Sequence, residues 1–444
     1  MNKKNDPKVI FGWCMYDWAN SAFATTVLAA LLPAYFAGEI VGPGGVVIGG
    51  TLYSATTLWG LVVALAAFAI FLTAPFLGAV SDFSAAKKRF LLTFAYSGSF
   101  FTMLLFFCRH GDVIQTLLIF FMAQICFIAG NVFYDAFLPQ ITTEDKIDWV
   151  SGKGFSFGYF GGGLQFAIAL GLVAGHDVIG ISQTMAARLG LALTGCWWAG
   201  FTLFTVKYLR EAPRAAPMPE KYRHKPLPAA YMAVGLASLW HTARQVGRFR
   251  QLVLFLIAFM LYNDGIQTVI NMATMYGKEE LKLTTIHLMV TLLMIQGIAV
   301  IGALAFSRLA GVIGSKRAVM TTLALWSGIV IYAYFITTAM EYFMLGIGVG
   351  IVLGGSQALS RSLYGSMIPE ASSAEFYGFY SVFSKFSAIW GPMVFAVIRQ
   401  MAGSSRLSIL SLIVFFIVGL VLLAFVDENK ARAAKENGSF KQIG

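Results

Sequence analysis

Residues 259–270 read FMLYNDGIQTVI. An acid, Asp264, stands in the middle of an apolar run extending from about 251 to 275, beside Asn263 and close to Gln267. A run of that length suits a membrane crossing, which takes about 20 mainly apolar residues. An ionisable group at bilayer depth costs about 2.5–3.5 kcal/mol on insertion scales. It persists where it faces a protein interior, a water-filled cavity or a partner charge. The run therefore reads as one wall of a polar site inside a membrane, and the rest of the chain must supply the other walls.

The composition agrees. Of 444 residues, 58% are hydrophobic and 12% charged, with a mean hydropathy of +0.73. Soluble proteins carry roughly 25% charged residues, so too little polar surface remains to cover a water-facing body. Twelve apolar runs are expected as membrane helices, near 10–37, 54–80, 90–108, 114–138, 154–175, 186–208, 251–275, 286–306, 318–338, 342–367, 377–400 and 407–426. Strand alternation is absent, which excludes a β-barrel. MNKKNDPK precedes the first run and no small-residue cleavage site follows it, so that run reads as a retained span.

The net charge of +11 does not point to nucleic acid, because the basic residues sit at the edges of apolar runs. With the N-terminus inside, about 24 Lys and Arg fall on the inner side. The outer loops carry only Arg109, Arg188, Lys278, Lys282, Arg399 and Arg406. This bias places both termini in the cytoplasm. Cys14, Cys108, Cys126 and Cys196 read as small apolar helix residues, and the five scattered histidines give no metal pattern. No cofactor is expected.

The longest polar stretch, 210–250, opens as a Pro-rich basic linker, REAPRAAPMPEKYRHKPLP. It continues with Met232, Leu236, Leu239, Trp240, Ala243 and Val246 at helical spacing, and His241, Arg244, Gln245 and Arg248 mostly opposite. That pattern suits a helix lying on the inner membrane surface, or a regulatory partner site.

The two sides of this linker echo each other. NSAFATTV at 20–27 matches NDGIQTVI at 263–270, pairing Asn20 with Asn263 and Thr25 with Thr268. NVFYDAFLPQI, ending the fourth run, matches RSLYGSMIPE, ending the tenth, which pairs Pro139 with Pro369 and Asn131 with Arg361. Gly154-Phe155 and Gly378-Phe379 then open the following runs. Matches in the same order indicate a six-plus-six duplication, a plan common in secondary transporters, whose solute site lies between the repeats. Expected units are a bundle at 1–209, the linker at 210–250, and a second bundle with a short tail at 251–444.

Residues 78–89 read GAVSDFSAAKKR. This resembles the loop signature of the major facilitator superfamily: a Gly, an Asp four residues later, then a basic cluster. The resemblance implies gating roles for Gly78, Asp82, Lys87, Lys88 and Arg89. Gly78 would let two helices approach, and Asp82 would cap a helix N-terminus in the other half. The alternative is an ordinary basic loop. The repeat copy, SRLAGVIGSKR at 307–317, keeps Gly314, Lys316 and Arg317 but has Gly311 in place of the acid and Ser307 in place of the first Gly. The second half is therefore expected to lack the latch.

In that superfamily spans one, four, seven and ten line the central cavity. Asp17, Asp135, Asp264 and Arg361 fall on those spans, and Lys385 on the eleventh. Asn20 and Asn263 should face each other, with Asn131, Gln267 and Gln357 adding polar capacity. One reading is that these charges only hold helices together. The other is that they bind solute and a coupling proton. Asp264 is then the first candidate for the protonated group, since burial favours a neutral carboxyl, and Asp17 the second. Arg361 would hold a substrate carboxylate, and Lys385 would be the counter-charge of Asp264.

Five further stretches carry a narrower resemblance: WCMYDWANSAF at 13–23, VFYDAFLPQI at 132–141, LYNDGIQTVINMATMYG at 261–277, GGSQALSRSLYGSMIPE at 354–370 and EFYGFYSVFSKFSAIWGP at 375–392. They are similar to the vacuole-effluxer-like family, which includes autophagy-related vacuolar amino-acid exporters and bacterial members. The resemblance implies an all-α membrane protein of twelve helices in two pseudo-symmetric six-helix bundles. It also implies secondary active transport of amino acids or similar zwitterions by a chain that acts as a monomer; the intramembrane acids suit a coupling proton, and the short tails suit a bacterial cell membrane. A drug or lipid exporter of the same superfamily is the alternative, as is a non-transporting scaffold or sensor.

Three Gly-rich stretches do not change this. GPGGVVIGG at 42–50 reads as a loop, and SGKGFSFGYFGGG at 151–163 and GIGVGIVLGG at 346–355 as helix-packing surfaces. None has the Gly and Lys-Ser/Thr spacing of a phosphate loop. An enzyme would need a nucleophile with a base, or clustered His and Asp, and the sequence offers neither.

Overall fold

The computed structural model describes residues 4–211, 219–245, 249–388 and 390–436. Twelve helical segments are long and apolar enough to cross a membrane: span 1 (Pro7–Val41), span 2 (Ala55–Ser84), span 3 (Lys87–Phe107), span 4 (Val113–Ile141), span 5 (Glu144–Ala174), span 6 (Gln183–Tyr208), span 7 (Arg250–Lys278), span 8 (His287–Ile313), span 9 (Ser315–Phe335), span 10 (Ala339–Met367), span 11 (Glu370–Ala402) and span 12 (Ser405–Ala424). Each corresponds to one expected run. An even number of crossings returns the chain to the face it left, called here the termini face.

Helix ends follow ordinary capping chemistry. Ser54 accepts from the Thr57 N–H, and Thr338 with Glu341 forms a reciprocal capping box at the start of span 10. The tight turns after spans 2 and 8 use left-handed-side backbone at Ala85 (φ 49°) and Gly314 (φ 88°). Outward faces are greasy. On span 2, Leu61, Leu65, Phe68 and Leu72 lie three or four residues apart and are each at least half exposed. In water such a stripe would aggregate; against acyl chains it is at home.

Helix pairing repeats across the duplication. Span 1 packs on span 6 as span 7 packs on span 12; span 3 packs on spans 4 and 6 as span 9 packs on spans 10 and 12. Between the halves, span 2 meets span 11 and span 5 meets span 8, again a symmetric exchange. The expected Gly-rich surfaces lie where span 10 packs on span 8 and span 5 on span 1. A Cβ on Gly354 would fall 2.2 Å from the Ala299 carbonyl oxygen, and one on Gly161 would fall 2.5 Å from that of Trp18.

Three local features depart from the expected pattern. Residues 42–50 are not a plain loop: Val46–Ile48 (β1) pairs antiparallel with Thr51–Tyr53 (β2) through Gly49-Gly50, both at positive φ, as a two-residue hairpin turn requires. Span 1 contains two π-helical segments, Phe23–Ala30 and Phe36–Val41. Span 11 is broken into Ser373–Phe386 and Trp390–Ala402. Pro392 lies in the first turn of the second piece, where its missing N–H costs nothing.

The linker carries a helix, Leu227–Gln245, packed along span 2. Ala230, Val234 and Gly235 are buried, Gly235 against Val80 and Phe76, while Met232, Leu236 and Trp240 are exposed. Leu236 and Trp240 of the expected apolar stripe thus lie at the surface beside Phe71, Leu72 and Phe386 of spans 2 and 11, while the side chains of Leu239 and Ala243 lie outside the described residues. Val246 and Arg248 lie outside the described residues, as does 212–218 of the linker.

Candidate functional site

A central cavity of about 490 Å³ is walled by both halves. Span 1 contributes Asp17 and Asn20, span 4 Asn131 and Asp135, span 7 Asn263 and Gln267, span 10 Gln357 and Arg361, and span 11 Lys385. These are nine of the ten expected binding residues. Much of the remaining wall is apolar, including Phe127, Ile266, Ile270, Ile295, Val349 and Leu353. The cavity runs from Arg361 towards Tyr276 and Tyr342, near the ends of spans 7 and 10 that lie opposite the termini.

Its floor is built around Arg361. The guanidinium lies 3.0 Å from Asp135 Oδ1 and 3.8 Å from Asp17 Oδ2. It also donates to the Ser151 hydroxyl at 3.0 Å and the Ser151 carbonyl at 2.8 Å. Rings of Trp13, Tyr134 and Phe155 surround it at 4.1–5.3 Å from their centroids. The Tyr134 hydroxyl donates to Asp17, and the Tyr159 hydroxyl to Gln357 Oε1 at 2.6 Å. Span 10 is thereby tied to spans 1, 4 and 5 of the other half. Arg361 was expected to hold a solute carboxylate. Instead it is 3% exposed and committed to internal acceptors.

Asp264 also departs from expectation. It is buried but does not line the cavity; Oδ1 accepts the Gly391 N–H at 2.9 Å, at the start of the second half-helix of span 11. A carboxylate there meets the positive end of the helix dipole. No ion pair joins it to Lys385 among the described residues, so the expected counter-charge role has no contact behind it. Asn263 does line the cavity and donates to Ser387 at the break. Asn20 donates to Asn131 at 2.5 Å.

Below the floor the termini face is shut. Asp82 accepts from the backbone N–H groups of Ala374 (3.2 Å) and Glu375 (2.8 Å), capping the first half-helix of span 11. Lys87 lies 2.6 Å from Asp82 and donates to Ser373 at 3.0 Å. A Cβ on Gly78 would stand 2.3 Å from the Ala374 carbonyl oxygen, so the two backbones touch there. Lys88 points elsewhere, donating to the carbonyls of Val206 and Leu209 at the end of span 6. Lys316 does the same for Ala424 and Val426 at the end of span 12. Arg89 is exposed.

The second loop, with Gly311 where the acid would be, forms no Asp–Lys pair of its own among the described residues. Its missing acid is supplied from the first half: Asp148, in the first turn of span 5, accepts from Ser315 at 2.7 Å and from Ser362. The small residue has also changed sides, since Ser307 packs against Gly152. Lys4 with Glu370, and Lys435 with Glu144, add ion pairs across the same face. Sequence reasoning missed Trp13, Tyr134, Ser151, Phe155, Tyr159 and Asp148. Trp13 and Tyr134 lie inside the quoted motifs, but nothing in their spacing showed that they enclose an arginine from the other half.

Comparison with known proteins follows this geometry. The family described as vacuole effluxer Atg22 like matches residues 5–148 and 142–436. The chain is 32% identical over 419 residues to the MFS-type transporter YxiO of Bacillus subtilis (strain 168), covering 94% of each chain. It is 25% identical to autophagy-related protein 22 of Kluyveromyces lactis, covering 78% of this chain and 74% of that one. Among solved structures it resembles the major facilitator superfamily transporter FucP in the outward conformation, with a TM-score of 0.68 at 13% identity, over 95% of this chain and 99% of that one. That similarity is one of fold.

Proposed function

The chain belongs to the vacuole effluxer Atg22-like family of MFS-type transporters, and from that premise we propose that it moves small zwitterionic solutes, amino acids foremost, by proton-coupled alternating access. The observation that carries this reading is the central cavity: both halves wall it, charges of both signs line it, and it is closed on one face. The bundles at 1–209 and 251–444 rock about it as units, joined by the linker at 210–250. The Asp82–Lys87 and Asp148–Ser315 contacts, with Gly78 against Ala374, are the gate that parts when the cavity opens to the termini face.

Charge counting supports the coupling. Two acids, Asp17 and Asp135, share one buried cation, Arg361, so one negative charge is in surplus at the floor. A proton or a solute ammonium neutralises it. Asp264, capping a helix away from the cavity, is no longer the first candidate for that proton. On the Lys and Arg bias we read the termini as cytoplasmic and this conformation, closed on the termini face, as outward-facing; a bacterial cell membrane and a monomeric chain complete the proposal.

The apolar wall favours a second reading, export of amphipathic organic solutes. A panel of both solute types, scored by thermal stabilisation of the purified protein at acidic and neutral pH, separates the two. Stabilisation by amino acids that changes with pH supports the first. Stabilisation by hydrophobic cations alone would overturn it.

A further inference from the structure

Two cations line the cavity, and their surroundings differ in kind. Arg361 is enclosed by carboxylates, a backbone carbonyl and three rings. Lys385 lies in the last turn of the first half-helix of span 11, part-buried against the cavity. Among the described residues it has no hydrogen-bond or ion-pair partner. An ammonium left in a mostly apolar wall is costly unless something meets it. Its own position lowers that cost, because the C-terminal end of a helix favours a cation.

The nearest protein acid by sequence logic, Asp264, is committed to the other side of the same break, where it caps Gly391. The two dipole ends of the broken helix are therefore served by separate charges, and that of Lys385 remains open to the cavity. Hydroxyl and amide groups share its part of the wall: Ser381 and Ser384 one turn or less away on the same helix, and Asn263 and Gln267 on span 7. Such a set suits an anion of carboxylate size, met by one charge and several neutral dipoles.

We propose that Lys385 is the group that receives the solute's carboxylate, and that the break in span 11 is the specificity element of this transporter. The inference rests on the zwitterion reading above. It moves the anion-binding role from Arg361, whose donors face internal acceptors, to the cation that has none among the described residues. The surplus negative charge at the floor, beside Arg361, is left for the solute's ammonium.

The test uses the full-length protein in detergent and compares each common amino acid with its carboxamide by thermal stabilisation and equilibrium binding. Wild type is expected to prefer the carboxylate. Lys385→Met should lower carboxylate affinity by a factor on the order of ten or more while leaving carboxamide affinity nearly unchanged, and Lys385→Arg should restore part of the preference. A second measurement needs no variant: acylation of the Lys385 amine, followed by mass spectrometry and taken relative to exposed Lys146 to cancel reagent consumed by the solutes' own amines, should slow with amino acids and not with their carboxamides. Binding by wild type with an undiminished carboxylate preference in Lys385→Met would overturn the inference and leave the transporter reading standing. If wild type binds neither amino acids nor carboxamides, the zwitterion reading falls and takes this inference with it.

Discussion

Arg361 and Lys385 are both cations inside an apolar protein, yet one is surrounded by protein acceptors and rings and the other, among the described residues, has no side-chain partner. Arg361 joins span 10 to spans 1, 4 and 5 through seven oriented interactions with acids, Ser151 and rings. Lys385 lies in the last turn of a half-helix and, among the described residues, has no such partners. The difference teaches that intramembrane charge alone does not identify a binding group. A charge whose capacity is used by the fold holds the fold. A charge whose capacity is unused awaits a ligand.

The sharpest way to break this contrast is to remove both charges in turn. Arg361→Met strands Asp135 and Asp17 without a cation, at a cost of about 3–5 kcal/mol. Its melting temperature should fall steeply, or the protein should fail to accumulate. Lys385→Met removes an unpaired ammonium and should melt at or above the wild-type temperature. Equal losses in the two variants, read by thermal unfolding in detergent, would erase the distinction.

Gly78→Leu asks whether the Arg361 floor is a moving part. A side chain there collides with the Ala374 carbonyl in the closed termini face, and overpacking of this kind costs about 1–3 kcal/mol. The closed state should lose population roughly tenfold or more, seen as faster alkylation of a cysteine placed at Ser373. Unchanged accessibility would mean that spans 2 and 11 do not form the gate.

Most of this architecture is legible in the sequence. The twelve apolar runs, the duplication and the Asp82 latch follow from hydropathy, register and a loop pattern, all of which are local along the chain. The roles of individual charges are not, because they depend on which side of a helix faces which neighbour. Asp264 and Asn263 are consecutive, so they point about 100° apart; one faces the cavity and the other the break in span 11. Arg361 and Ser151 are separated by 210 residues, and no pattern in either segment announces their contact. The break in span 11 was missed, since 377–400 reads as one apolar run; Gly391-Pro392 inside it is the signal that could have found it. The acid supplied by Asp148 is invisible because it sits on the opposite half from the loop that lacks it.

Asp264→Asn and Asp264→Ala sharpen the contrast at the break. Asn keeps the cap and should stay within about 0.5 kcal/mol of wild type, whereas Ala should lose about 1 kcal/mol. Proton-driven uptake should survive in the Asn variant. Its loss at normal protein levels would return Asp264 to the head of the proton pathway. The smallest effect belongs to the rim: Lys4→Ala removes an exposed ion pair with Glu370 and should cost less than about 0.5 kcal/mol, within the error of a melting experiment.

The central claim is that two bundles close alternately around one cavity. Spin labels test it most directly, placed across the halves in a background lacking Cys14, Cys108, Cys126 and Cys196. One pair, Arg89 with Val312, reports the termini face; the other, Val178 with Met401, reports the opposite face, and all four positions are exposed. Distances measured by double electron–electron resonance, with and without amino acids at acidic and neutral pH, should show two populations in which one pair lengthens as the other shortens. A single unvarying distance for both pairs under every condition would contradict the account.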